Sequence, residues 1–229
     1  MFKISNKCLT LLRQINIMES KYNEKQVQIL AVAERLFSEQ GFNGTSVRDI
    51  ASAAAVNVAM ISYYFGSKEK LLEAIFDYRI SATAIQLEHL VAQTEIEPMQ
   101  KIDMLVDHYC DKLQNNTCFF KIMQSEQLNG HFNKDLSEVV FQSKKKNFDL
   151  IASLISEGQK KGIFKKNVDV SLLVSTLVGA SNQIYMGHGY YKRIHQLDEM
   201  EDDKFQALLK KRMKVFLKNM FKAILTYEL

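Results

Sequence analysis

The segment TSVRDIASAAAVNVAMISYYFGSKEKLLEAIF, residues 45–76, contains the starts of three closely spaced helices. Ser46 and Asp49 have the spacing of a capping box, which predicts that a helix begins there. Asn57 can cap a second helix of less than two turns, and Ser67 can cap a third, longer helix. Because the second helix is too short to bury much apolar surface, we expect it to be presented to a partner rather than packed into a core.

Helical periodicity continues on both sides of this segment. Upstream, apolar residues recur at helical spacing from Lys25 to Gly41, a glycine placed as at a helix C-terminus. Downstream, the pattern predicts longer helices over about residues 67–94, 98–113, 118–128, 133–162, 169–186 and 202–227. The 229 residues include only 9 glycines and 1 proline, too few for the turns of a sheet fold. The predicted fold class is therefore all-α.

Composition places the chain among ordinary globular proteins. Apolar residues make up 47%, charged residues 24%, and the mean hydropathy is -0.16. No run approaches the roughly 18 apolar residues of a membrane helix. The three cysteines, Cys8, Cys110 and Cys118, form neither a disulfide framework nor a CxxC pair, so a cytoplasmic location is expected. The net charge of +4 is too small to identify a nucleic-acid binder by itself.

Two short helices joined by a tight turn predict a helix-turn-helix. In that motif the second helix enters the major groove, its first residues reach base edges, and flanking groups hold phosphates. The quoted segment resembles the DNA-binding domain of the TetR family of transcriptional regulators, and AVAERLFSEQGF, residues 31–42, resembles that family's first helix. The spacing from Gly41 through Thr45 and Val56 to Lys68 matches the family without a gap.

The resemblance implies a domain plan and a function. Residues 23–70 would form a three-helix DNA-binding domain, residues 71–229 a larger helical ligand-binding and dimerisation domain, and residues 1–22 an N-terminal tail. It also implies a cytoplasmic homodimer that binds a palindromic operator in double-stranded DNA. A small-molecule effector would release the protein, so we expect a ligand-responsive repressor with no cofactor and no enzymatic activity.

The resemblance further implies which residues contact DNA. Thr45 or Ser46 would hold a phosphate through a hydroxyl, and Arg48 would reach the backbone or a base. Tyr64 and Lys68 would contact the phosphate backbone. The full set of implied contacts is Thr45, Ser46, Arg48, Asn57, Val58, Ala59, Met60, Ser62, Tyr63, Tyr64 and Lys68.

The predicted base-facing surface is nearly apolar. Val58, Ala59 and Met60 cannot read guanine with a bidentate pair of hydrogen bonds, but they can pack against thymine methyl groups. We therefore predict T-rich half-sites, with further discrimination from Asn57, Arg48 and DNA shape.

Two positions depart from the family's pattern. Ala55 stands where the family usually has a glycine in the turn, and alanine is tolerated there only if its backbone avoids a strongly positive φ. Ser62 stands where the family usually has tyrosine, so one phosphate contact is lost or shortened to a hydroxyl. The neighbouring Tyr63 is then either a DNA contact or a core residue.

The last two predicted long helices favour a dimer. The final helix carries an apolar band wider than one core contact needs, and the helix before it has small residues that allow close approach of another helix. The alternative is that this band is only monomer core. The predicted interface residues are Ser175, Gly179, Phe205, Leu209, Met213, Phe216 and Met220.

Methionine and aromatic residues in the long helices favour an adaptable apolar ligand cavity, although such residues at helical spacing are usually core. The candidate pocket residues are Tyr109, Met123, Phe148, Asn182 and Tyr185.

Other classes of function have weaker signals. Asp103, Asp107 and Asp111 lie on one helical face, where we expect solvated carboxylates rather than a metal site. The sequence has no Gly-rich phosphate loop, HExxH or GxSxG motif, which argues against an enzyme. The alternative to a DNA-binding regulator is a helical adaptor that binds another protein through the apolar last helix.

Overall fold

The structure is a computed structural model that describes residues 21–129 and 134–227. These residues form helices and no strand. The helices are α1 (Glu24–Gly44), α2 (Val47–Ala53), α3 (Val58–Phe65), α4 (Lys68–Ala92), α5 (Pro98–Asn115), α6 (Thr117–Asn129), α7 (Lys134–Lys160), α8 (Val170–Met186), α9 (His188–Ile194) and α10 (Asp202–Thr226). The all-α prediction is confirmed. Most of the predicted N-terminal tail and the predicted helix start at residue 133 lie outside the described residues.

Local capping fixes where the first three helices begin. The side chain of Asn23 accepts a hydrogen bond from the backbone N–H of Gln26, which starts α1. Ser46 and Asp49 form the predicted capping box at the start of α2, and Asn57 caps α3 through the N–H of Ala59. The short α9 was not predicted, because none of its residues is buried and it therefore has no apolar period.

The turn between α2 and α3 contains a strained alanine. Ala55 has φ 51°, in the left-handed region. The condition stated for an alanine at this position is therefore not met: the turn keeps the backbone that usually selects glycine. A non-glycine residue in this region is strained by about 1 kcal/mol or more, because its Cβ crowds the following carbonyl oxygen.

Replacing Ala55 with glycine should consequently raise the free energy of unfolding. The relief of strain exceeds the extra backbone entropy that glycine gains on unfolding, so we expect a net increase of about 0.5–1 kcal/mol. Denaturant unfolding measures the difference. Ala53→Gly, at the exposed last residue of α2, is the matched control and should lower stability. Equal effects of the two changes would contradict the assignment of strain to Ala55.

The described residues pack into two compact units. The first comprises the chain up to Ala84 together with Cys118–Ser143, and the second comprises Ile85–Thr117 together with the chain from Lys144 onward. This packing differs from the predicted division after residue 70. The reason lies in the first unit, where the ring of Phe76 on α4 packs 5.1 Å from that of Phe119 on α6. The part of α4 before Ile85 and α6 from Cys118 onward therefore belong to the same unit as the helix-turn-helix.

Each unit has its own apolar core. In the first unit, buried residues of α1 to α4 pack with Phe119 and Ile122 of α6 and Leu136 and Val140 of α7. In the second unit, α5 packs against α8 and α10, and Lys101 is buried with its Nζ bonded to the carbonyl of Val91 (3.1 Å) and the carboxylate of Glu157 (2.9 Å). None of the described helices is long and apolar enough to cross a membrane.

Two of the three aspartates on α5 are not simply solvated. Lys214 of α10 donates to Asp111 at 2.9 Å, and Lys218 donates to Asp107 at 2.6 Å. The expectation that these two carboxylates are simply solvated is therefore wrong. They lie half-buried in ion pairs that join α5 to α10, where lysines already neutralise them.

Candidate nucleic-acid interface

The helix α3 is held by two buried side chains and presents the rest of its surface. Ile61 and Phe65, one turn apart, are buried in the core of the first unit. Around them Val58, Ala59 and Ser62 are exposed, and Met60 is half-buried. This arrangement leaves a short helix with an accessible N-terminal face, as the sequence predicts for a recognition helix.

The N-terminus of α2 is already occupied by its own capping box. The Ser46 hydroxyl donates to the Asp49 carboxylate (2.6 Å) and accepts the Asp49 backbone N–H (3.1 Å). The hydrogen bonds from the Ser46 side chain and backbone N–H lower the pKa of Asp49, so this exposed carboxylate is ionised at neutral pH. A phosphate at this helix end has to share the Ser46 hydroxyl with Asp49.

Thr45 does not have the phosphate-binding position that the resemblance implies. Its side chain is only 1% exposed, and its hydroxyl donates to the carbonyl oxygens of Gly41 (2.9 Å) and Leu36 (3.3 Å). The chain turns sharply at Gly41, which has φ 77° and ψ 163°. Thr45 therefore stabilises the corner between α1 and α2, and Ser46 is the hydroxyl left at the surface.

Asn57 has two competing uses. Its Oδ1 accepts the backbone N–H of Ala59 at 2.9 Å and caps α3. A bidentate contact to adenine needs both the oxygen and the nitrogen of an amide. The cap uses one of the two acceptor lone pairs of Asn57 Oδ1, so a bidentate contact to adenine would share that oxygen with the Ala59 N–H.

The two tyrosines at the end of α3 differ in exposure. Tyr63 is 85% exposed, so the alternative that it belongs to the core is wrong. Tyr64 is half-buried between its neighbours, with its ring centroid 5.4 Å from that of Tyr63 and 6.2 Å from that of Phe65. Both hydroxyl groups lie on the same short helix as the predicted base-facing residues.

Lys68 points back into the protein instead of offering a free ammonium group. Its Nζ donates to the carbonyl oxygens of Phe42 (2.9 Å) and Thr45 (3.1 Å). Because these two hydrogen bonds hold its Nζ, we correct the prediction that Lys68 contacts a phosphate directly. Arg48, by contrast, is exposed and has no hydrogen bond or ion pair within the described part of the chain, which makes it the accessible cation of this surface.

The predicted dimer interface divides into buried and exposed residues. Phe205, Leu209 and Met213 are buried in the core of the second unit, so their assignment to an interface is wrong. They lie on the inner stripe of α10, which repeats every four residues and continues to Leu225. The exposed or half-buried members of the prediction are Ser175, Gly179, Phe216 and Met220. Further exposed apolar side chains on the same two helices are Leu172, Val178, Val215 and Ile224.

The predicted pocket residues do not all belong to the same unit. Met123 is half-buried against the core of the first unit, whereas the other four residues belong to the second unit. There Tyr185 is buried, its hydroxyl has no hydrogen-bond partner among the described residues, and burial raises its pKa to about 12. The half-buried residues of the prediction are Tyr109, Phe148 and Asn182.

Sequence reasoning missed three further buried polar groups in the second unit. Ser181 Oγ, His108 Nε2 and Asn147 Oδ1 have no hydrogen-bond partner within the described ranges. Burial, followed by the charge of Lys112, lowers the pKa of His108, so the ring is neutral at pH 7. Ser181 could have been found, since it continues the four-residue stripe of Leu173, Leu177 and Tyr185 on α8.

An exposed recognition helix on a three-helix core, followed by a second helical unit, defines a helix-turn-helix DNA-binding transcription regulator. Residues 29–75 match the family described as bacterial regulatory proteins, tetR family, and residues 98–213 match the tetracyclin repressor-like C-terminal domain. The chain belongs to the TetR family. It is thus a DNA-binding regulator of transcription.

Individual relatives agree with this assignment. The HTH-type transcriptional repressor NicS of Pseudomonas putida is 27% identical over 168 residues, which cover 72% of this chain and 79% of NicS. The fatty acid degradation regulator FadR from Bacillus halodurans is similar in structure with a TM-score of 0.65 at 23% identity, covering 87% of this chain and 97% of that chain. FadR from Bacillus subtilis, in complex with stearoyl-CoA, gives a TM-score of 0.63 at 20% identity and covers 83% and 96%. At these identities the two structures show a shared fold.

Proposed function

We propose that this chain is a homodimeric repressor that binds a palindromic operator and leaves it when a small molecule binds the second unit. The observation that carries the proposal is the exposed N-terminal face of α3 on a core anchored by Ile61 and Phe65. The similarity to NicS, a transcriptional repressor, supports repression rather than activation of transcription. Two recognition helices related by a two-fold axis would read a palindrome.

The proposed contacts follow from exposure and chemistry. Arg48 would neutralise a backbone phosphate, and the Tyr64 hydroxyl would donate to another. The Ser46 hydroxyl would reach a phosphate by sharing or exchanging its hydrogen bond to Asp49. Val58 and Ala59 would pack against thymine methyl groups. The remaining proposed contacts are Asn57, Met60, Ser62 and Tyr63.

Selection of bound duplexes from randomised DNA tests the function. We expect a palindromic, T-rich consensus for the wild type and no enrichment for Tyr64→Ala. Met60→Ala should keep binding but relax the preference at one position of each half-site, by about 1 kcal/mol, because a single apolar base contact is lost. Enrichment of no sequence at two salt concentrations, together with a protein partner in pull-down experiments, would favour the adaptor instead.

The proposed dimer interface consists of the exposed faces of α8 and α10. Phe216 is 61% exposed, and the same helix also exposes Val215 and Ile224; several exposed apolar side chains on one element are typical of an interface. Phe216→Glu should therefore weaken dimerisation by at least about tenfold, because it places a charge on surface that the partner subunit would desolvate. Sedimentation equilibrium measures the change.

Tyr190→Glu is the matched control for Phe216→Glu. Tyr190 is also an exposed aromatic residue of the second unit, but it lies on α9. Its replacement should leave the dimer intact. A monomeric wild type, or equal weakening by both variants, would contradict the proposed interface.

The proposed effector binds within the second unit. Tyr185, Ser181 and His108 supply buried polar atoms without partners, and leaving such atoms unpaired is unfavourable by about 1–3 kcal/mol each. A ligand with an apolar body and uncharged hydrogen-bonding groups would satisfy them. Tyr109 and Asn182 are their neighbours in sequence, and Phe148 belongs to the same unit. In a compound screen by thermal unfolding, such ligands should stabilise the wild type more than Tyr185→Phe; equal stabilisation would exclude this residue.

A further inference from the structure

The ammonium group of Lys68 lies at the corner between α1 and α2, although Lys68 is the first residue of α4. Besides its hydrogen bonds to the carbonyl oxygens of Phe42 and Thr45, the Nζ lies 4.2 Å from the centroid of the Phe42 ring. This distance is within the range of a cation–π interaction. Two carbonyl dipoles and one aromatic face therefore stabilise the charge within the protein.

This contact links the two helices that face DNA. Thr45 directly precedes Ser46, the N-cap of α2, and Lys68 lies three positions after Phe65, the last residue of α3. A hydrogen bond from Lys68 to Thr45 thus fixes the start of α2 relative to the end of α3. The exposed residues proposed to contact phosphates and bases lie on these two helices.

We infer that Lys68 is a positioning residue for DNA recognition. Its ammonium group holds α2 and α3 in the arrangement that matches the operator, and it does not itself neutralise a phosphate. The inference rests on the proposed DNA-binding function.

The corner has a second, independent support. On the core side, the hydroxyl of Thr45 bonds to the carbonyl oxygens of Gly41 and Leu36. Loss of the Lys68 ammonium group should therefore loosen the start of α2 without unfolding the unit, so that DNA binding by a folded variant can be measured.

The test compares Lys68→Met, which keeps the alkyl stem, with Arg48→Met, which removes an exposed cation from α2. Affinities for the selected operator and for non-specific duplex DNA are measured over a range of salt, well below the unfolding temperature of each variant. Lys68→Met should reduce the ratio of operator to non-specific affinity about tenfold, the effect of one lost base contact. Its slope of log affinity against log salt should stay unchanged.

Arg48→Met should give the opposite pattern. Its slope should fall by about 1, since one phosphate contact is lost, and both affinities should fall together. The same pattern in Lys68→Met would overturn the inference in favour of a direct phosphate contact. A lower unfolding temperature with unchanged affinities would also overturn it, because Lys68 would then serve stability alone.

Hydrogen–deuterium exchange gives a readout that needs no DNA. In the free protein, exchange in peptides covering residues 42–50 should rise in Lys68→Met and stay unchanged in Arg48→Met; no rise would overturn the inference. If the wild type selects no operator, the proposed function fails. The exchange measurement then decides by itself whether Lys68 holds the corner.

Discussion

Replacing Arg79 with methionine should lower the free energy of unfolding of the first unit by about 3–5 kcal/mol. Arg79 on α4 forms a bidentate ion pair with Glu34 on α1: Nε donates to Oε2 at 2.7 Å and Nη2 donates to Oε1 at 3.0 Å. Glu34 is only 5% exposed. Removing the guanidinium group leaves a carboxylate that is buried without its cation, and an unpaired charge in that environment is strongly destabilising.

Arg35→Met is a matched control for this change. Arg35 is the neighbour of Glu34 in sequence and pairs with Glu39 at 3.2 Å, but both side chains of that pair are 51% exposed. Solvent screens such a pair, so its loss should lower the free energy of unfolding by no more than about 0.5 kcal/mol. Because the chain has no tryptophan, unfolding in denaturant is best followed by circular dichroism.

A double variant distinguishes two contributions to the free energy of unfolding: the loss of the ion pair and the burial of an unpaired Glu34 carboxylate. Glu34→Leu with Arg79→Met removes both charges and should recover much of the stability, since a buried ion pair contributes little more than apolar side chains of similar volume. A single Arg79→Met variant as stable as Arg35→Met would show that Glu34 is not held in a buried environment. No recovery in the double variant would mean that the stem of Arg79 or its other contacts carry the effect.

Local patterns predicted the helices well because caps and periodicity act over a few residues. The capping pairs at Ser46 and Asn57 depend on neighbours two or three positions away, and such spacing is visible in any sequence. The ion pair of Glu34 and Arg79 joins residues 45 positions apart. Local spacing does not indicate which two charged residues meet at that separation, so this ion pair between α1 and α4 could not be predicted.

The candidate site was predicted by residue type and corrected by tertiary contacts. Thr45 and Lys68 have the side chains that a phosphate contact needs, but the turn at Gly41 brings carbonyl oxygens within reach of both. Those carbonyls have to be satisfied, and they use the donors that the pattern assigned to DNA. Tyr63 shows the reverse case, because only the orientation of α3 shows that its ring faces outward.

The helix α10 shows a limit of periodicity itself. Its apolar band contains two neighbouring stripes, and either could face the core. The structure buries the stripe that includes Phe205 and Leu209 and exposes Phe216. A hydrophobic pattern gives the width of an apolar surface, while the packing partners determine which part is core.

Gly158 on α7 is the position where the smallest substitution should have a large effect. An added Cβ would lie 2.7 Å from Cγ of Phe164 and still closer to Cδ2 and Cε2 of that ring. The ring is buried in the second unit, so it cannot swing into solvent without exposing apolar surface. We expect Gly158→Ala to lower the free energy of unfolding by about 3 kcal/mol, the upper part of the range for overpacking a core.

Hydrogen bonds also prevent the backbone around Phe164 from moving away from the added Cβ. Gly162, two residues after the end of α7, has φ 71°. The N–H groups of Ile163 and Phe164 both donate to the carbonyl oxygen of Gly158, at 2.9 and 3.1 Å. The next N–H, of Lys165, donates to Leu225 at the end of α10 (2.9 Å). The glycine and the ring it contacts are therefore held by the same hydrogen bonds, and relief of the clash would require breaking some of them.

Gly189→Ala provides the matched control for the glycine argument. Gly189 lies in α9, and a Cβ built there meets nothing within 4 Å. Alanine has the higher helix propensity, so this change should raise stability by up to about 1 kcal/mol. Both variants are compared by denaturant midpoint at one protein concentration, because dimerisation couples to unfolding. Opposite signs are expected; a gain of stability in Gly158→Ala would mean that Phe164 has another place to pack and that the close approach of α7 to the following turn is not needed.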